Sequence, residues 1–173
     1  MIDLIPWTER TFRFDLPVRH FPNIVERLRG MPARLWSRLD TLSTEVLTRR
    51  VSGKWSVQEH AGHLRDLAAL DTARLDDFTA GRQTLTAADM TNRRTAEARH
   101  NEYPIGEVLG GFERERDALV RRLDQLDEAF VARSAMHPRL GVPVRVVDWA
   151  FFVAEHDDHH MAVIASLLRG GRR

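Results

Sequence analysis

Near its C-terminal end the chain reads Glu155-His156-Asp157-Asp158-His159-His160-Met161-Ala162. Far upstream it reads Trp55-Ser56-Val57-Gln58-Glu59-His60-Ala61-Gly62-His63-Leu64. Five of the eight histidines lie in these two segments, and both segments have helical character. Imidazoles four apart share a helix face, so His156 and His160 can offer one ion two nitrogens. A third imidazole from another helix would complete a three-nitrogen site, with positions left for water or substrate.

The last helix carries this pair on its apolar stripe. Trp149, Val153, His156, His160, Val163 and Leu167 follow one another by steps of 4, 3, 4, 3 and 4, a bundle seam. Two adjacent buried imidazoles leave four ring nitrogens in need of partners, at roughly 1–3 kcal/mol for each unpaired group. A metal ion would satisfy one nitrogen on each ring. The plainer alternative is exposure, or hydrogen bonds to carboxylates such as Asp157. His159 falls one step off the stripe, which places it beside the site or on the surface. On the earlier helix, His60 aligns with Val57 and Leu64, and His63 with Ser56, Leu67 and Leu70. Periodicity leaves the choice between them open.

Glu59, Asp66, Asp157 and Asp158 are the acidic neighbours. Any of them could orient a ligand imidazole, although a solvated helix face is the ordinary role of each. Arg74 follows His63 by about three turns. It could reach an anionic substrate, but a surface ion pair is its more ordinary role.

The elements that must position these groups are helices. Residues 1–21 carry Trp7, Phe12, Phe14 and Phe21 among prolines, which predicts an extended arm packed on the body. The rest, 22–173, reads as one domain. A first helical region spans 24–47, interrupted at Gly30 and Pro32. A second helix starts at a capping box, Ser56-Val57-Gln58-Glu59, and stops near Thr79-Ala80-Gly81. Residues 82–104 are polar and predict a crossover holding a short helix. A third helix covers 105–126 on the stripe Val108, Phe112, Leu119, Leu123 and Leu126. Residues 127–145 form a turn-rich connection, and the last helix runs from Val146 to Gly170-Gly171. With four main helices and no convincing β alternation, the pattern predicts an all-α, four-helix bundle with long crossover loops.

Composition narrows the function classes. Hydrophobic residues at 43% and charged residues at 29% are those of an ordinary globular domain. A net charge of +1 gives no electrostatic footprint for nucleic acid or an anionic membrane. With no cysteine, the chain has no thiolate ligand, no disulfide and no thiol nucleophile. No signal peptide is visible, and no apolar run approaches the roughly 20 residues that span a bilayer. A cytoplasmic location is the expectation.

The order of short motifs resembles the DinB/YfiT-like metalloprotein superfamily. They are Lys54-Trp55-Ser56-Val57-Gln58-Glu59 leading to Gly62-His63-Leu64, then Asp71-Thr72-Ala73-Arg74-Leu75, then Phe112-Glu113-Arg114-Glu115-Arg116 with Leu119. His137-Pro138-Arg139-Leu140-Gly141 follows, and His156-Asp157-Asp158-His159-His160 with Ile164 closes the series. The resemblance covers about residues 24–168 and leaves the arm outside. It implies a four-helix bundle holding one divalent ion, zinc or nickel, on His63, His156 and His160. Arg145-Val146 departs from the pattern, where a Ser or Thr cap is expected.

The resemblance also implies a small-molecule substrate, a low-molecular-weight thiol such as bacillithiol or mycothiol, and a homodimer. Trp36 or Trp149 would mark the apolar patch of that dimer. Three neutral imidazoles leave an ion its full charge, so a bound thiol or water would deprotonate near neutral pH. The expected activity is thiol-dependent transfer. The alternatives are hydrolysis by metal-bound hydroxide, with Glu59 or Asp66 as base, and a non-catalytic metal-binding bundle. Asn92 and Arg94 in the crossover are the candidate substrate contacts at the pocket rim.

Overall fold

The structure, a computed structural model, describes residues 3–170. Residues 1, 2 and 171–173 fall outside it, and with them the outer ends of the predicted 1–21 arm, of the 22–173 domain and of the Gly170-Gly171 stop. The chain folds as a four-helix bundle. Helix α1 (Phe21–Arg29) and helix α2 (Met31–Leu39) share the first position, and the short α3 (Thr44–Thr48) follows them. The other three positions belong to α4 (Val57–Thr79), α6 (Ile105–Leu123) and α8 (Val146–Gly170). Two short helices, α5 (Arg93–Glu97) and α7 (Glu128–Val131), sit in the connections.

The first helical region breaks where the sequence expected. Gly30 ends α1, and Pro32 opens α2, where a missing N–H costs nothing. Helix α4 starts on the full capping box: Ser56 Oγ accepts from Glu59 N at 3.1 Å, and Glu59 Oε2 accepts from Ser56 N at 2.8 Å. Helix α6 stops at Leu123, one turn before the predicted 126. Helix α8 starts at Val146 without a Ser or Thr cap. Asp148 in the first turn reaches back instead, accepting from Arg145 N at 3.2 Å and from its Nε at 2.7 Å.

Within the turn-rich connection expected over 127–145, residues 134–145 form a short hairpin. Strand β1 (Ser134–His137) pairs antiparallel with β2 (Val142–Arg145), Ser134 opposite Arg145. Each strand has four residues, too short for alternation to show, and Pro143 in β2 argues against a strand. The hairpin edge also receives the 82–104 crossover, through Met136 N to Gln83 O at 2.8 Å and Leu85 N to Met136 O at 3.0 Å.

Two apolar clusters fill the bundle. One gathers Leu28, Phe78, Val120, Trp149 and Ala150. The other gathers Leu35, Leu64, Val108, Phe112 and Ile164. Trp149, at 1% exposure, packs on Phe78 with centroids 5.8 Å apart, so it marks no surface patch. Trp36 is half-buried and donates to Glu113 Oε2 at 3.1 Å. The arm is extended apart from turns at Trp7–Glu9 and Val18–His20, and its Phe21 already belongs to α1. Trp7 and Phe12 pack on Phe152, centroids 5.0 and 4.9 Å away. Among the described residues, no helix is long and apolar enough to cross a membrane.

Candidate metal centre

Helix α4 and helix α8 face each other with His63 on one and His156 and His160 on the other. One ring nitrogen from each lies within 4.8 Å of the other two. His156 Nε2 and His160 Nε2 are 3.2 Å apart. A tetrahedral ion with nitrogens at about 2.0–2.1 Å would space them about 3.3–3.4 Å apart, so the donor set suits a shared divalent cation. His63 and His160 are buried and His156 nearly so.

The far nitrogens of two rings are held from outside. His63 Nδ1 lies 3.0 Å from Thr95 Oγ1 on α5. The Thr95 hydroxyl in turn hydrogen-bonds Asp66, which also takes His100 Nε2 at 2.7 Å. His160 Nδ1 lies 2.9 Å from His60 Nδ1. This separates the two α4 histidines: His63 turns into the cluster, while His60 backs one of its members. Each of these outward bonds fixes a ring and leaves its other nitrogen free for an ion.

Burial keeps these rings neutral. It pulls His60 and His63 down to about 4, and the His60 and His100 charges lower His63 further against the pull of Asp66. His156 and His160 fall well below the ordinary value, through burial first and neighbouring histidines second. Neutral imidazole is the form that ligates a metal.

The acidic residues divide differently from the expectation. Both Glu59 oxygens are occupied by Arg50 and the Ser56 amide, so Glu59 is committed to the helix cap. Asp157 points to α6, where Arg116 Nη1 lies 2.7 Å from its Oδ2 and Nη2 donates to Oδ1 at 3.1 Å. Asp66 reaches His63, but only through Thr95. Asp158 pairs with Arg27 and Arg34.

A cavity of about 260 Å³ opens beside the three imidazoles. Trp7 from the arm and Trp55 wall it, each with its ring 4.8 Å from a histidine: His156 for Trp7, His63 for Trp55. Asn92 lines this cavity, and its backbone is left-handed at φ 53°. Arg94 does not line it. That side chain is exposed, 3.9 Å from Asp66 on the neighbouring surface. His159 lines the cavity and meets His160 edge-on.

Sequence reasoning missed Thr95, Asp71, His137 and Arg139 as parts of the site. Asp71 lines the cavity and is pushed up to about 7 by burial, although Arg116 and Arg74 pull it down. The motifs around Asp71 and His137 were visible, but nothing in their spacing said that they converge. Thr95 gave no signal at all.

A four-helix bundle with convergent neutral imidazoles beneath a small cavity defines a class of histidine-centred helical proteins. The chain belongs to the DinB superfamily, whose family model matches residues 27–164. Its structure is similar to YfiT from Bacillus subtilis, described as a probable metal-dependent hydrolase with an unusual four-helix bundle topology. That match has a TM-score of 0.80 and 18% identity, over 93% of each chain. A mycothiol-dependent maleylpyruvate isomerase is also similar, with a TM-score of 0.65 and 13% identity. There the match covers 87% of this chain and 62% of the isomerase. At these identities the likenesses show the fold. A search of the curated proteins found no match.

Proposed function

We propose that His63, His156 and His160 hold one divalent ion, and that the chain is a metal-dependent transferase acting with a low-molecular-weight thiol. The observation that carries this reading is the cluster of three neutral imidazoles, nitrogens within 4.8 Å, at the wall of a cavity of about 260 Å³. Zinc and nickel both suit imidazole donors. A bound ion would supply a Lewis acid that makes a thiol or a water acidic near neutral pH.

The protein's own residues do the rest. His60 and Thr95 fix two of the ligand rings. Trp7, Trp55 and Phe152 narrow the cavity and limit its water. The thiol comes from the substrate side, because the chain has no cysteine. The similarity to a mycothiol-dependent isomerase supports that choice. Asn92 is the rim residue placed to touch a substrate.

A second reading is hydrolysis, favoured by the cavity carboxyl of Asp71. With its pKa near 7, it can give or take a proton at neutral pH. The similarity to YfiT points the same way. A cytoplasmic homodimer completes the proposal on the strength of the resemblance, since the buried Trp149 offers no patch.

The test is a panel of mycothiol, bacillithiol and glutathione with small electrophiles, run beside activated esters and amides on metal-loaded protein. Thiol-dependent turnover that disappears with the metal is the expected result. Hydrolysis without thiol selects the second reading. No metal-dependent turnover across both panels would leave a non-catalytic metal-binding bundle.

A further inference from the structure

One wall of the cavity carries an imidazole donor and two guanidiniums that form no ion pair within 4 Å among the described residues. His137, at the end of β1, lines the cavity and is only 2% exposed. Its Nδ1 accepts from Leu140 N at 3.3 Å. Burial and the charges of Arg74 and Arg139 pull this ring down to about 4, so it is neutral at pH 7. A neutral ring with an accepting Nδ1 carries its proton on Nε2. That Nε2 is buried and has no hydrogen-bond partner. The fold thus presents a donor lacking an acceptor, and buried donors are rarely left so.

Two guanidinium groups line the same cavity. Arg74 on α4 donates from Nε to Thr86 O at 3.0 Å, and Arg139 in the hairpin turn lies 5.7 Å over the Phe152 ring. Among the described residues, neither forms an ion pair within 4 Å. Each is destabilised as a cation: Arg74 by burial and by Arg139, against the pull of Asp71 and Asp77, and Arg139 by burial. Their nearby carboxyls offset them only in part. Asp157 is taken by Arg116, Asp77 by Arg82 and Thr86, and Asp89 by Thr91 and Arg93, while burial pushes Asp71 up to about 7.

We propose that Arg74, Arg139 and the His137 Nε2–H form a subsite for the carboxylate of a small organic acid, beside the three imidazoles. Two guanidiniums and one N–H supply charge and directed donors, the set that a planar carboxylate accepts. A cavity of about 260 Å³ is below the usual size for drug-sized ligands and suits a small acid. The subsite would hold the acid group while the reacting carbon or sulfur faces the metal centre. The proposal deepens the transferase reading and rests on it for the role of the bound acid.

The test is calorimetric titration of the full chain, metal-free, with succinate, with its neutral diamide and with inorganic phosphate. Succinate should bind, and the diamide should bind at least tenfold more weakly. Arg139→Gln, in the half-buried hairpin turn, should weaken succinate at least tenfold and leave the zinc affinity unchanged. Arg74→Gln should do the same, and an unaltered circular dichroism spectrum would show that it folds. Succinate affinity indifferent to Arg139→Gln overturns the subsite, and so does phosphate binding more tightly than succinate. Failure of zinc binding in the unmutated chain would sink the metal reading alone, since the succinate titration needs no metal.

Discussion

His60 shows how much a single residue does without touching the centre. It stands one turn from His63, yet its Nδ1 meets His160 Nδ1 at 2.9 Å. If His160 uses Nε2 for the ion, its Nδ1 must donate and His60 must accept. Replacing His60 with Ala removes that acceptor and frees the ring. By the usual weight of such outer contacts, metal affinity should fall about 10–100-fold in a chelator competition. Unchanged affinity would show that His60 is a bystander. The sequence made the His156–His160 pair legible through the seam. It left His60 and His63 unresolved, because both share one face and only the packing against α8 turns one inward.

The same residues set the pH response of the metal-free protein. His60 and His63 are held near 4 in the fold against about 6.5 unfolded, and His156 and His160 are depressed too. Between those values the unfolded chain binds more protons, so stability falls as pH drops from about 6.5 toward 4. Asp71, raised to about 7, and Asp157, also raised, have the opposite slope above about 4, but with His137 and His159 lowered as well, two groups oppose six. The depressed carboxylates Glu59, Asp66, Glu155 and Asp158 lose stability only below about 4.5. Thermal melts between pH 7 and pH 5 should therefore show a falling Tm. A Tm that is flat or rises toward acid would contradict the burial of neutral histidines.

Among the elements, the contact of α4 with the crossover decides where Thr95 and His100 sit. Gln58 Nε2 donates to the carbonyls of His100 and Tyr103 at 2.5 and 2.7 Å. The His100 ring lies flush on Gly62, where a Cβ would fall 2.6 Å from its Nδ1 and closer still to Cγ and Cδ2. Helix propensity would favour Ala at Gly62 by about 1 kcal/mol. Overpacking costs about 1–3 kcal/mol and should prevail. Gly62→Ala is expected to lower stability in urea unfolding and to loosen the His100–Asp66 bond; a stabilised variant would refute the close fit. The helices and their boundaries were legible because periodicity and caps are local. The crossover and the hairpin were not, because their positions come from Gln58, Gly62 and the Met136 edge, which have no period.

At the scale of the whole molecule, a buried ion pair joins α6 to α8 beneath the cavity. Arg116 and Asp157 are 2% and 3% exposed. Removing one partner leaves a bare charge in the core, so Arg116→Ala should cost about 3–5 kcal/mol in chemical denaturation. Arg116→Met with Asp157→Leu should recover most of that. A single variant as stable as the parent would mean that water reaches the pair. A second layer of ion pairs fastens the periphery: Arg10 and Arg27 both bond Glu155, and Arg27 and Arg34 bond Asp158. Arm, first helices and α8 thus close over one side of the imidazole cluster.

Under the proposed function, His63, His156 and His160 together hold one divalent ion. Zinc titration of the metal-free full chain, with parallel elemental analysis, tests it most directly. The parent should bind one zinc per chain, and His63→Ala, His156→Ala and His160→Ala should each lose binding by a hundredfold or more, by the loss of one ligand in three. A His156→Ala, His160→Ala double variant that still carries a full equivalent of zinc would contradict it.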